Sequence, residues 1–139
     1  MLKNIVLAFD GSEYSNRALQ YAKTFAERFE ATLWLVHIFT HTSDLLGYED
    51  YKKLYSKRKA SGQTLLGEAL QELSNTRCDV REKLEEGPEA ESILNIAKKC
   101  QADLIVMGTR GHGKLKGLLV GSVSRKVIHH SSCPVMVVH

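Results

Sequence analysis

Four short apolar runs and a fifth, mixed one, separated by stretches of helical periodicity, constrain this chain more than any other feature. Ile5 to Phe9 is apolar without a break, Leu33 to Phe39 and Ala102 to Met107 carry one polar residue each, and Pro134 to Val138 repeats the pattern. Val80 to Leu84 alternates instead, and reads as a strand nearer an edge. Strands without polar alternation belong to a sheet covered on both faces, which is the habit of parallel sheets. Between them lie apolar positions at intervals of three and four. These are Tyr14, Ala18, Tyr21, Ala22, Phe25, Ala26 and Phe29; then Ala90, Ile93, Leu94, Ala97 and Cys100; and last Val123, Val127 and Ile128, while a long helical stretch runs through Leu54, Leu65, Leu66, Ala69, Leu70 and Leu73. Strand and helix in alternation predict an α/β fold: a single-domain, open, five-stranded parallel sheet with right-handed crossovers and helices on both faces.

Local signals agree with that reading. Ser12 is placed to cap the first helix and Glu13 suits its first turn, while Pro88 after Gly87 is placed to start the third. Gly62 and Gly67 weaken the second helix, and Thr40 to Asp50, polar and mixed, reads as a loop before it. The 139 residues suit one domain. No apolar run is long enough to cross a membrane, and Met1 to Phe9 reads as a first strand rather than a signal peptide, so a cytoplasmic location is expected. Cys78, Cys100 and Cys133 are odd in number and widely spaced, which fits buried thiols in a reducing compartment.

The chemistry concentrates between Gly108 and Ser124, G-T-R-G-H-G-K-L-K-G-L-L-V-G-S-V-S. A glycine-rich stretch there joins a buried strand to a helix. Glycine lets backbone N–H groups turn inward and approach an anion, and the following helix adds unpaired N–H donors and the positive end of its dipole. Gly108, Gly111 and Gly121 supply the first property, Ser122 and Ser124 add hydroxyls, and Arg110 is nearby countercharge. Gly108 to Lys114 also nearly spells a P-loop, but Leu115 stands where Ser or Thr should ligate magnesium, and Gly117 interrupts the helix that should follow at once.

The charge distribution favours an anionic ligand in the same place. The net charge of +3 hides an asymmetry: after Asp103 there is no acidic side chain, only Arg110, Lys114, Lys116, Arg125 and Lys126. Nucleic acid is the other reading of such a patch. It is disfavoured here because no aromatic residue is interleaved after Asp103 and no nucleic-acid motif is present.

Written as G-x2-G-x9-G-S, from Gly108, Gly111, Gly121 and Ser122, the spacing resembles the nucleotide-binding signature of the universal stress protein family, in its ATP-binding branch. The N-terminal I-V-L-A-F-D-G-S, the L-V-H-I of Leu35 to Ile38 and the terminal C-P-V-M-V-V extend the resemblance over essentially the whole chain, 1–139. It implies the strand order 3-2-1-4-5, which the residues alone do not reveal, and so brings Asp10 beside the glycine loop. It also implies a site for ATP or AMP, with Mg2+. Ala8 and Ile38 would line the adenine, Met107 would precede the phosphate loop, and Val123 with Ser124 would offer N–H and hydroxyl groups to the phosphates.

Asp10 has two readings, a turn carboxylate at a strand–helix junction and, by the resemblance, a contact to ribose or to magnesium on the phosphates. The six histidines form no metal set; His37 reads as structural, and His112 as either a phosphate contact or a solvated loop residue. No general base for attack on phosphate stands out. The expected function is a nucleotide-dependent sensor or regulator in stress response. The alternatives are a slow ATP hydrolase or adenine-nucleotide alpha-hydrolase type of enzyme, and a scaffold that uses only the fold. The final strand, Pro134 to Val138, lies at a sheet edge in the implied order and is apolar on both faces, so a homodimer through it is expected. Thr40 to Lys59 remains without an assigned role.

Overall fold

The computed structural model describes residues 1–42, 47–109 and 120–139. In chain order the elements are β1 (Asn4–Ala8), α1 (Glu13–Phe29), β2 (Thr32–Phe39), α2 (Tyr48–Glu72), β3 (Val80–Glu86), α3 (Glu89–Lys99), β4 (Leu104–Gly108), α4 (Ser122–His130) and β5 (Val135–Val138). All four strand pairings are parallel and the order is β3-β2-β1-β4-β5. Both the alternation read from the sequence and the order implied by the resemblance hold. β1 pairs with β2 on one side and β4 on the other, so the direction of winding reverses between β1 and β4.

Each face of the sheet has its own core. Ile5, Leu7, Leu33, Leu35 and Val106 pack under α1 and α2, while Val6, Val36, Ile38, Ile105 and Met107 pack under α3 and α4. Alternate side chains of one strand thus serve opposite cores, which is why β1, β2 and β4 carry few polar residues, while the edge strand β3 is mostly charged.

α1 is capped as its sequence predicts: the Ser12 hydroxyl accepts the Ser15 N–H at 3.2 Å, and Ser15 donates its own hydroxyl to Ser12 O at 2.9 Å. Its buried face differs from the predicted stripe. The buried residues are Ser15, Ala18, Leu19, Ala22 and Ala26, whereas Tyr21 and Phe29 are 52% and 48% exposed. Small side chains let the helix lie close on the sheet, and the large rings are turned to the rim. The last helix repeats the lesson, with Val127 buried and Ile128 45% exposed.

Of the two glycines in α2, one serves close packing. A Cβ on Gly62 would stand 2.8 Å from Leu84 Cδ1 and 3.1 Å from His37 Cδ2, so this glycine seats α2 on β2 and β3. The predicted weakness of the helix at Gly62 is the cost of that contact. Gly67 meets nothing within 4 Å. His37 is structural as expected, its Nδ1 donating to Phe9 O at 2.8 Å. The three cysteines are free and half-buried rather than buried. Burial holds the Cys100 thiol above its ordinary pKa, so it stays protonated at neutral pH. Among the described residues no helix is long and apolar enough to cross a membrane.

Candidate functional site

The carboxyl ends of β1 and β4 lie side by side at the point where winding reverses, with Ala8 opposite Met107. Open parallel sheets leave a crevice at such a point, because the connections from the two strands depart to opposite faces. Here β1 leads into α1 and β4 leads toward α4 on the other face.

α4 is fastened over the end of β4 by three bonds. The Gly121 N–H donates to Thr109 O at 2.6 Å, and the buried Ser124 hydroxyl lies 2.8 Å from Gly108 O and 3.2 Å from Thr109 O. No side chain caps this helix, and Arg125 N is the first amide to bond back to Gly121 O. The first-turn amides of Ser122, Val123 and Ser124 therefore have no carbonyl of their own helix to bond. They are three N–H donors at the positive end of a helix dipole, set against the end of β4.

Other predicted residues gather around this point. Ile38 and Met107 are buried in the α3–α4 core, and Ala8 and Val123 pack against the same cluster. Ile38 has a further property that only the ladder reveals. Val36 O accepts from Phe9 N and Thr32 N donates to Lys3 O, so the even-numbered residues of β2 direct their backbone groups toward β1. Ile38, two residues past Val36, turns its N–H and C=O to that side beyond the end of β1.

Asp10 leaves β1 at the same end. Its Oδ1 accepts the Ser12 N–H at 2.9 Å, an Asx turn that sets up the N-cap, so the turn role exists. Gly11, at φ +83°, makes the tight reversal that only glycine adopts at ease. Gly108 has a packing role not evident in the sequence: a Cβ there would stand 2.7 Å from Tyr14 Cβ and 3.0 Å from Ser15 N, so this glycine admits α1 against β4. Gly121, at φ −76° and ψ 172°, is in ordinary extended conformation.

Sequence reasoning passed over Thr109. It is 2% exposed and, among the described residues, its Oγ1 has no hydrogen-bond partner. A buried hydroxyl without a partner is costly, and this one lies where α4 meets β4. A hydroxyl directly after the last residue of a buried strand was the available signal. Arg110, Gly111, His112 and the lysines at 114 and 116 lie outside the described residues, as does the near P-loop they form with Gly108. Among the described residues no group of three His, Cys, Asp or Glu side chains is placed to hold a metal.

Known proteins share both the sequence and this architecture. The profile of the universal stress protein family matches residues 1–139. A universal stress protein of Thermus aquaticus, named for its position in the QAH/OAS sulfhydrylase 3′ region, is 38% identical over 138 residues, covering 99% of either chain. The solved structure of a protein called MJ0577 superposes with a TM-score of 0.91 at 30% identity, covering 99% of this chain and 96% of that one. A universal stress protein solved in complex with cAMP superposes with a TM-score of 0.75 at 27% identity, covering 99% and 97%. With its whole length matched and its strand order in place, the chain belongs to the universal stress protein family.

Proposed function

We propose that the chain binds an adenine nucleotide, ATP or AMP, at the junction of β1, β4 and α4, and acts as a nucleotide-dependent sensor or regulator of a stress response in the cytoplasm. The observation that carries this reading is the uncapped start of α4, three first-turn amides beyond the reach of their own helix's carbonyls, beside a buried Thr109 hydroxyl that has no partner among the described residues. A phosphate chain supplies acceptors for both. The cAMP complex of a relative at 27% identity supports an adenine nucleotide in this family.

In this reading Ala8, Ile38, Met107 and Val123 form the apolar wall for the base, and the backbone of Ile38 reads its edge. Gly108, Gly111, Gly121, Ser122, Val123 and Ser124 hold the phosphates, with Arg110 as countercharge. Ser124 contributes its amide, because its hydroxyl is committed to the end of β4. Asp10 faces ribose or a magnesium ion carried by the phosphates, since a bare carboxylate beside polyphosphate is repelled. Among the described residues no group of three His, Cys, Asp or Glu side chains is placed to hold such an ion, so Mg2+ would arrive with the nucleotide rather than before it. When bound, Mg2+ neutralises phosphate charge.

The chain forms a homodimer through β5 in the same proposal. The two edges of the sheet differ: β3 exposes Arg81, Glu82 and Lys83, a charged edge of the kind that resists pairing, while β5 leaves Val135, Met136 and Val137 half-exposed. The reading is tested by purifying the protein without added nucleotide, denaturing it and identifying what is released by mass spectrometry. Adenine nucleotide in near-stoichiometric amount is expected. Empty protein that shows no thermal shift with ATP, AMP or cAMP would leave the scaffold reading in its place.

A further inference from the structure

α2 is longer than the sheet it covers. Its 25 residues rise through about 37 Å, against about 26 Å for the eight residues of β2. Its buried positions are Gly62, Leu66 and Ala69, followed by Leu73 at its end, all in the second half. Carried back toward the N-terminus at 3.6 residues per turn, that same side of the helix holds Tyr48, Tyr51, Lys52, Tyr55 and Lys59. The core-facing stripe thus runs on past the strands as three tyrosines interleaved with two lysines.

This half of the helix is held in place, with Tyr51 and Tyr55 half-buried and Tyr48 exposed. Arg58 donates to Thr40 O at 3.3 Å and His41 O at 3.0 Å, and Tyr55 meets Phe39 edge to face at 5.5 Å. Tyr51 and Tyr55 lie nearly parallel, 17° apart with centroids at 6.1 Å. Tyr48 is 74% exposed, and Lys52 and Lys59 are exposed on the same side. From Glu49 to Lys59 five cations, Lys52, Lys53, Lys57, Arg58 and Lys59, outnumber two acids, Glu49 and Asp50.

We propose that this overhanging face is a platform for single-stranded nucleic acid, whose bases stack on the tyrosine rings while its phosphates meet the lysines. Aromatic faces interleaved with cations are the combination that holds single strands without reading their sequence. Tyr48 and Tyr55 are about 10 Å apart along the helix, room for successive bases with Lys52 between them. The sequence argument against nucleic acid concerns the stretch after Asp103, which has cations and no aromatics; α2 has both. The ridge of Tyr48, Lys52, Tyr55 and Lys59, at intervals of four, three and four, contains no Leu, Ile, Phe or Trp, and the half-buried Leu54 lies on another side of the helix, which separates this ridge from the faces that helices offer to protein grooves or lipid.

The test is fluorescence anisotropy of a labelled oligothymidylate, with saturating AMP present to occupy the nucleotide site. Binding is expected, falling steeply between about 50 and 200 mM salt. Tyr48→Ala should weaken it about five-fold or more, the lower end of stacking on one ring, and Lys52→Glu with Lys59→Glu at least about ten-fold. All three side chains are exposed, so thermal unfolding should not move. Four results overturn the proposal: no binding at low salt, binding indifferent to these substitutions, displacement of the oligonucleotide by AMP, or equal affinity for a duplex of the same length. Binding to phosphatidylglycerol vesicles with none to the oligonucleotide would overturn it as well.

Discussion

At the scale of single residues, four positions at the site differ in what they hold. Gly108 holds α1: Gly108→Ala should lower stability by about 1–3 kcal/mol, as overpacked positions do, because Tyr14 and the backbone of Ser15 stand in the way of the new methyl group. Gly121 is in a conformation open to any residue, so Gly121→Val should leave thermal unfolding nearly unchanged and abolish nucleotide binding, which calorimetry and titration on the same sample would separate. Ser124→Ala should cost about 1–2 kcal/mol in stability, since it strands two buried carbonyl contacts, yet change nucleotide affinity only a few-fold. Asp10→Ala should weaken binding and alter its Mg2+ dependence; a lower melting temperature with unchanged affinity would assign the carboxylate to its Asx turn alone. The sequence made the glycines and serines legible as a group because their spacing follows a strand. It could not separate Gly108, whose reason is a neighbour some ninety residues away, or show that the Ser124 hydroxyl is taken and that of Thr109 is not.

At the scale of elements, the order of strands and helices was readable wherever burial is one-sided in kind: apolar runs for strands, three-and-four spacing for helices. The faces were less readable. α1 buries Ser15, Ala18, Ala22 and Ala26 around a single large residue, Leu19, and turns Tyr21 out because its contact with the sheet favours small side chains, a choice that hydrophobicity alone misses. The register of β1 on β4 has an anchor outside both strands. Asp103 Oδ2 accepts the Asn4 N–H at 2.9 Å and the Lys3 N–H at 2.8 Å, and these two bonds hold its carboxyl below the usual aspartate range. A carboxylate with a depressed folded pKa contributes stability that is complete above its unfolded value, near 3.9, and fades as pH falls through the lower folded value. Asp103→Asn should therefore lower the melting temperature at neutral pH, and the difference from the parent should shrink as the buffer is taken below pH of about 4. A difference that stays constant with pH would assign the effect to packing.

At the scale of the whole molecule, the two ends of the sheet face different problems. One edge, β3, is blunted by charge, and the other, β5, is apolar and unblunted, so light scattering at micromolar concentration should give about twice the chain mass of 15.6 kDa. Val137→Lys should shift it toward monomer. A monomeric parent protein would mean that β5 is protected without a partner. The strand order that makes β5 an edge also sets the carboxyl ends of β1 and β4 side by side, with α4 fastened over the end of β4, and the central claim is that an adenine nucleotide is held there. Isothermal titration of nucleotide-free protein with ATP and with AMP, Mg2+ present, tests it most directly. The account predicts saturable binding at one site per chain, lost in Gly121→Val with its fold intact; no heat from either nucleotide at millimolar concentration would contradict it.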